Sequence, residues 1–180
     1  MTEALTFVPA TSQPGLLATG VAAALKAWPV DSGDIKVAEI DPDFADTAQF
    51  CEQYGEPLST SANCVVLAGK RAGELRYAAC LVLASTRADI NNRVRRHMDV
   101  RKVSFAPMET AVELTGMEYG GITPIGLPDD WPVLIDTCVI EQPYVIIGSG
   151  LRRSKISIPG AVLAQLPAAK VLDELATDGS

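Results

Sequence analysis

Two apolar runs, Cys64–Ala68 and Tyr77–Ala84, flank the polar stretch Gly69-Lys70-Arg71-Ala72-Gly73-Glu74. Short apolar runs bounded by charged and glycine-bearing residues are strands. So short a link returns the chain antiparallel, because a parallel crossover needs a dozen or more residues. The pattern predicts a hairpin with a loop longer than the tight two-residue type, and it places Gly69-Lys70 in that loop. Such a hairpin favours a mixed sheet over a purely parallel one.

Helical and extended patterns alternate around the hairpin. Leu17, Val21, Ala24, Leu25 and Trp28 recur at helical spacing and Pro29 stops them, which predicts a helix near 15–28. Residues Ile35 to Ile40 alternate with period two, a half-buried strand. Asp41-Pro42 then supplies an N-cap and a first-turn proline for a helix with Phe44, Ala48 and Cys51 on one face, closed by Gly55. Ile90, Val94 and Met98 mark a short helix behind Asp89, with Arg93, Arg95 and Arg96 on its other faces. Val103-Ser104-Phe105 reads as a strand, and Pro107 opens a helix that Gly116 ends. Val133–Ile140, Tyr144–Ile147 and Lys155–Ile158 are strand candidates; Pro159 begins a last helix through Leu166, and the tail from Thr177 is expected to fray. The fold class that follows is mixed α/β.

The 180 residues fit one domain, and 48% hydrophobic residues suffice for a core. A formal charge of −7 repels a long nucleic-acid backbone, so any such partner must be met by a local basic patch. Cys51, Cys64, Cys80 and Cys138 lie far apart without CxxC spacing and beside apolar residues, the pattern of reduced, mostly buried thiols in a cytosolic protein. The apolar stretches are far shorter than the roughly 20 residues a bilayer requires, and no basic region precedes an apolar one at the N-terminus. A cytoplasmic protein with no membrane partner is expected.

Few catalytic devices remain. His97 is the sole histidine, at the end of the arginine-bearing helix where a solvated side chain is expected. Dispersed cysteines and one histidine show no zinc-ligand spacing, so no metal and no cofactor is expected. Gly69-Lys70 lacks the first glycine of a P-loop, and Arg71 replaces its Ser or Thr. Gly148-Ser149-Gly150 lacks the third glycine of a dinucleotide fingerprint and is followed by a strand pattern.

Two features survive. The segment Gly116–Pro128 holds four glycines and two prolines; such a loop can present amide donors to an oxyanion, and the same composition also builds plain structural turns. Gly148–Lys155 combines glycines with Arg152, Arg153 and Lys155, which can hold a phosphate or simply guard a strand edge. Arg93, Arg95, Arg96, Arg101 and Lys102 form a further basic stretch, a pattern shared by ordinary solvated faces.

The order of an arginine-bearing helix, Lys102-Val103-Ser104-Phe105-Ala106, a helix ending Leu114-Thr115-Gly116, and Gly120-Gly121-Ile122-Thr123-Pro124-Ile125-Gly126-Leu127 resembles the YbaK/ProX family. These are free-standing aminoacyl-tRNA deacylases similar to the editing insertion domain of bacterial prolyl-tRNA synthetase. Leu134-Ile135-Asp136 and Gly148-Ser149-Gly150 follow in the same order, and the resemblance spans residues 40–175, leaving 1–39 outside it. It implies a curved mixed sheet or partial barrel with surrounding helices. It implies hydrolysis of the ester joining a mischarged amino acid to the terminal adenosine of tRNA, assisted by the substrate's own hydroxyl or thiol. The partner would be the aminoacylated acceptor end, with a homodimer or a synthetase partner as further options.

In this reading Gly120 and Gly121 donate main-chain N–H groups to the ester carbonyl. Thr123 and Pro124 shape the pocket floor, Asp136 orients the site, and Gly148, Ser149 and Gly150 line the other wall. The family carries a lysine early in the strand matching Asn63–Leu67, and here Asn63 falls at that position or directly after it. Asparagine offers a neutral dipole where lysine offers a charge. Lys102, Arg152 and Lys155 are the cations able to replace it from elsewhere. A second reading stays open, in which the chain binds an aminoacyl-tRNA or aminoacyl-nucleotide and has lost the chemistry with the lysine.

Overall fold

The computed structural model describes residues 3–178. Its strands are β1 (Val8–Pro9), β2 (Lys36–Glu39), β3 (Ala62–Arg71), β4 (Glu74–Leu83), β5 (Thr86–Ala88), β6 (Val103–Phe105), β7 (Val133–Asp136), β8 (Val145–Gly148), β9 (Ser154–Ile158), β10 (Ala169–Leu172) and β11 (Ala176–Asp178). The helices are α1 (Thr19–Ala27), α2 (Thr47–Tyr54), α3 (Arg95–Met98), α4 (Met108–Thr115), α5 (Thr137–Ile140) and α6 (Gly160–Leu163).

Strands β10-β7-β4-β3-β6 form a five-stranded mixed sheet, parallel across β10–β7 and β7–β4 and antiparallel across β4–β3 and β3–β6. Strands β1-β2-β9-β8 form a second, antiparallel sheet, and β5 pairs with β11 in a small ribbon. A single bridge, Ser61 to Ile146, joins the larger sheets without closing a barrel. The main core lies where Leu81, Ile135, Ile147 and Ile156 from both sheets meet Val21 and Leu25 of α1. A second cluster, with Leu67, Cys80, Val94 and Met98, fills the opposite face of the five-stranded sheet beneath α3.

Several sequence expectations are corrected. The hairpin loop is tight: Ala72 and Gly73 turn the chain alone at φ 51° and 83°, and Arg71 pairs with Glu74. Two consecutive left-handed residues match the twist of the flanking strands, so pairing runs to the tip and Gly69-Lys70 lies within β3. The Val133–Ile140 run breaks at Asp136, whose carboxylate accepts from the Cys138 N–H at 2.8 Å and starts α5. The last helix stops at Leu163. Thr177 and Asp178 do not fray, because β11 pairs with β5; the last two residues lie outside the described part. Asp41 and Pro42 cap a single 3-10 turn, and α2 begins only at Thr47; Gly55 ends it in the left-handed conformation at φ 70°.

Candidate functional site

A cleft of about 440 Å³ opens where the free edge of β3 faces the Gly-Pro loop. One wall is the start of β3, with Asn63, Cys64 and Val66; β6 pairs with β3 only from Leu67 onward, and just beyond it the Ala106 N–H donates to the Val66 carbonyl at 2.9 Å. Asp46 and Thr47 at the start of α2 flank it, and the Thr47 hydroxyl donates to Asn63 Oδ1. The opposite wall is Tyr119, Gly120 and Ile122, with Gly148 and Lys155 at the base. Phe105 and Tyr119 stand at the mouth, 62% and 50% exposed.

Lys155 occupies β9 directly opposite Gly148. It is only 6% exposed; its Nζ donates to the Ala45 carbonyl at 2.7 Å and lies 5.3 Å from the Phe50 ring centre. Burial lowers its pKa from the usual 10.5 to about 8, with Arg152 pushing the same way and the neighbouring Cys51 and Asp46 opposing. The group is thus a cation at neutral pH, with a proton held less firmly than an exposed lysine's. Burial pushes the Cys64 and Cys80 thiols upward, which keeps them protonated.

The loop is held from behind. Gly121 donates its N–H to the Glu118 carbonyl at 2.9 Å, while its own carbonyl accepts from Gly150 at 2.7 Å. A Cβ on Gly121 would sit 2.7 Å from the Leu151 backbone, and one on Gly148 would sit 2.5 Å from the Gly121 carbonyl oxygen. These close approaches explain the glycines. The Arg152 guanidinium ties the loop to the 3-10 turn ahead of α2 by donating to the Tyr119 carbonyl at 3.1 Å and the Pro42 carbonyl at 2.9 Å. The Gly120 N–H, at φ 86°, has no protein acceptor among the described residues.

Of the residues singled out in the sequence, Asn63, Gly120, Gly148 and Lys155 meet in the cleft. The others do not line it. Gly121 spends its amide on Glu118, so it is not a free donor to a ligand. Thr123 is fully buried, with a hydroxyl that has no partner among the described residues. Pro124 faces a separate apolar cavity beside Trp28 and Leu127. Asp136 caps α5 and accepts from the Ala176 N–H at 2.9 Å, which pins the C-terminal segment. Ser149 is buried, and its hydroxyl is taken up by Ser154 and the Leu151 carbonyl. Gly150 packs against Ala18 of the α1 N-cap. Lys102 stands at the far end of β6, beside the hairpin tip.

Sequence reasoning missed Asp46 and Thr47. Asp46-Thr47 carried a helix-start signal, but only the bridge from Ser61 to Ile146 brings the second sheet, with Lys155, against the start of β3. His97 is exposed at the end of α3, as expected. Cys51 and Cys80 are buried and Cys64 is half-buried, whereas Cys138 is exposed. No group of three or more His, Cys, Asp and Glu among the described residues is placed to hold a metal. No helix of the described residues is long and apolar enough to cross a membrane.

Residues 41–166 match the model of the aminoacyl-tRNA editing domain. The chain belongs to that family. The uncharacterized protein YwhH of Bacillus subtilis (strain 168) is 28% identical over 142 residues, covering 79% of this chain and 87% of YwhH. A crystal structure described as a candidate trans-editing enzyme for prolyl tRNA synthetase superposes with a TM-score of 0.74 at 23% identity, over 90% of this chain and 97% of that one. The hypothetical protein APE2540 gives the same score at 20% identity, over 88% and 99%. Both superpose on the mixed α/β fold described above.

Proposed function

We propose that this editing-domain protein acts in trans as a deacylase, hydrolysing the ester of a mischarged aminoacyl-tRNA. The observation that carries the reading is that one cleft holds an unengaged main-chain N–H at Gly120 and a buried cation at Lys155. An ester carbonyl gains negative charge as water adds to it, and a preorganised donor and cation stabilise that charge. The water oxygen bonds to the acyl carbon, the bond to the ribose oxygen breaks, and that oxygen leaves with a proton. In this arrangement the Gly120 N–H faces the developing oxyanion and the Lys155 charge supplies the field. The amide of Asn63, fixed by Thr47, orients the aminoacyl group.

The volume of the cleft falls within the ~300–1,000 Å³ typical of small-molecule sites, enough for an aminoacylated nucleoside. Exposed Phe105 and Tyr119 offer flat faces on which a terminal base can stack. Lys155 supplies a cation to a cleft whose β3 wall carries Asn63 at, or directly after, the position of the family lysine.

The test is a panel of tRNAs charged with alanine, serine or cysteine on non-cognate acceptors. The wild type is expected to release the amino acid from at least one of them, and Gly120→Val to abolish release. No ester cleavage above background across the panel would overturn the assignment. The second reading, binding without cleavage, is favoured by one observation: Lys155 Nζ already donates to Ala45. It predicts that alanyl- or seryl-sulfamoyl adenosine raises the melting temperature of a protein that cleaves nothing.

A further inference from the structure

Residues 70–102 hold nine of the 15 Lys and Arg but only three of the 22 Asp and Glu, a local net charge of +6 in a chain of −7. The β3–β4 tip, the end of α3 and the approach to β6 bring Lys70, Arg71, Arg76, Arg101 and Lys102 of this segment to one end, whereas β4 runs away from it and Arg87 lies past its far end on β5. Asp99 pairs with Arg71 and lies 3.6 Å from Arg76, and Glu174 pairs with Arg93. Lys70, Arg101 and Lys102 have no carboxylate partner among the described residues and are exposed. With Ser104 and Leu75 they border a groove of about 840 Å³.

The groove is aligned with the cleft. Val66, Ala68 and Lys70 follow at every second position of β3 and so point to the same side of the sheet. The β3–β6 register sets Ser104 opposite Ala68, and one step further sets Lys102 opposite Lys70. Val66 borders the cleft; Lys70 and Lys102 border the groove. Seven residues of strand separate Asn63 from Lys70, about 23 Å at ~3.3 Å per residue, or roughly seven stacked nucleotides at ~3.4 Å each.

We infer that the hairpin tip is the docking surface for the sugar-phosphate backbone of the tRNA acceptor stem, with Lys70, Arg101 and Lys102 as phosphate contacts. The inference rests on the editing reading of the cleft. With the terminal adenosine at Gly120, the phosphates that reach the tip belong to the paired stem, beyond the unpaired end. This resolves how an acidic chain engages a polyanion: the contact falls on a region where cations outnumber carboxylates, and Asp41, Asp43 and Asp46 on the α2 side repel the strand toward it. Such contacts read no sequence and add affinity that falls steeply with salt.

The test measures binding of unfractionated, uncharged tRNA by the full chain across a salt series, alongside cleavage of a 2′(3′)-O-aminoacyl adenosine. Lys70→Ala/Arg101→Ala is expected to weaken tRNA binding about tenfold and to reduce the log–log salt slope by about 0.9 for each cation removed. Lys36→Ala/Lys170→Ala, which alters cations on other surfaces, should bind as the wild type does. The hairpin variant should cleave the small ester at the wild-type rate. A hairpin variant with wild-type affinity and slope, or a wild type that binds no tRNA, overturns the inference. A wild type that binds tRNA through these residues but cleaves no ester overturns the deacylase reading instead, and leaves the docking surface standing.

Discussion

The two halves of the Gly-Pro loop do different work. Tyr119, Gly120 and Ile122 face the polar cleft shared with Asn63 and Lys155, whereas Pro124, Gly126, Leu127 and Pro128 face an apolar cavity with Trp28 and Trp131. The first half leaves an amide unengaged; the second packs so closely that a Cβ on Gly126 would sit 2.7 Å from the Gly20 carbonyl oxygen. One glycine-rich composition thus serves two ends, an unengaged amide in the cleft and backbone-to-backbone packing. Only the tertiary neighbours tell them apart.

The largest effect should separate those halves. Gly126→Ala forces a side chain onto a backbone at φ 83° with no room to move, and is expected to cost about 2–4 kcal/mol in urea denaturation. Gly120→Ala meets the far end of the Arg152 side chain, which can swing away; its stability loss should stay near ~1 kcal/mol while ester hydrolysis falls sharply. Equal stability losses at the two positions would erase the distinction.

The cleft also carries a titration that the apolar half lacks. Lys155 holds its proton less tightly when folded, about pH 8, than unfolded, 10.5. Between those values the unfolded chain binds more protons, so the unfolding free energy contributed by this residue rises with pH across that window. Relative to Lys155→Met, the wild type should gain on the order of 1–3 kcal/mol from pH 8 to 10.5, read from denaturation midpoints at each pH. A flat difference would mean the ammonium is solvated.

Asn63→Lys is a finer probe. A second cation beside Lys155 lowers the affinity of each for its proton, and the side chain loses its tie to Thr47. About a tenfold fall in kcat/KM is expected, roughly 1.4 kcal/mol; a gain would instead show that Lys155 does not serve as the cleft's cation. The smallest effect belongs to Asp136→Asn, which weakens the acceptors for Cys138 and Ala176. Chemical denaturation should show a loss of about 1 kcal/mol, with KM and kcat unchanged.

Local signals were legible where local physics decides. The α1 periodicity, the Gly55 and Gly116 stops and the β2, β6, β8 and β9 runs all stood in the sequence and appear in the fold. The Ala72-Gly73 turn was misread because alanine rarely adopts a positive φ. Strands β1, β5, β10 and β11 were missed because they are two to four residues long and depend on distant partners for pairing. In the site, Asn63, Gly120, Gly148 and Lys155 were named from sequence, but Asp136 and Ser149 resemble site residues in type while their oxygens are spent on caps and turns. Residues 15–21 had no assigned role, yet Ala18 donates its N–H to the Ser149 carbonyl at 3.1 Å and Leu16 accepts from the Ser154 hydroxyl at 2.6 Å. They buttress the turn behind the cleft. Such support depends on contacts more than 130 residues apart in the chain, which no periodicity encodes.

Under the proposed deacylase reading, the Gly120 amide and the buried Lys155 ammonium act together on the ester. The most direct measurement compares single-turnover deacylation by the wild type and Lys155→Met on the charged tRNA the wild type cleaves fastest. A rate at least about 100-fold lower is expected in the variant, with the fold intact by circular dichroism. A variant that deacylates as fast as the wild type would contradict it.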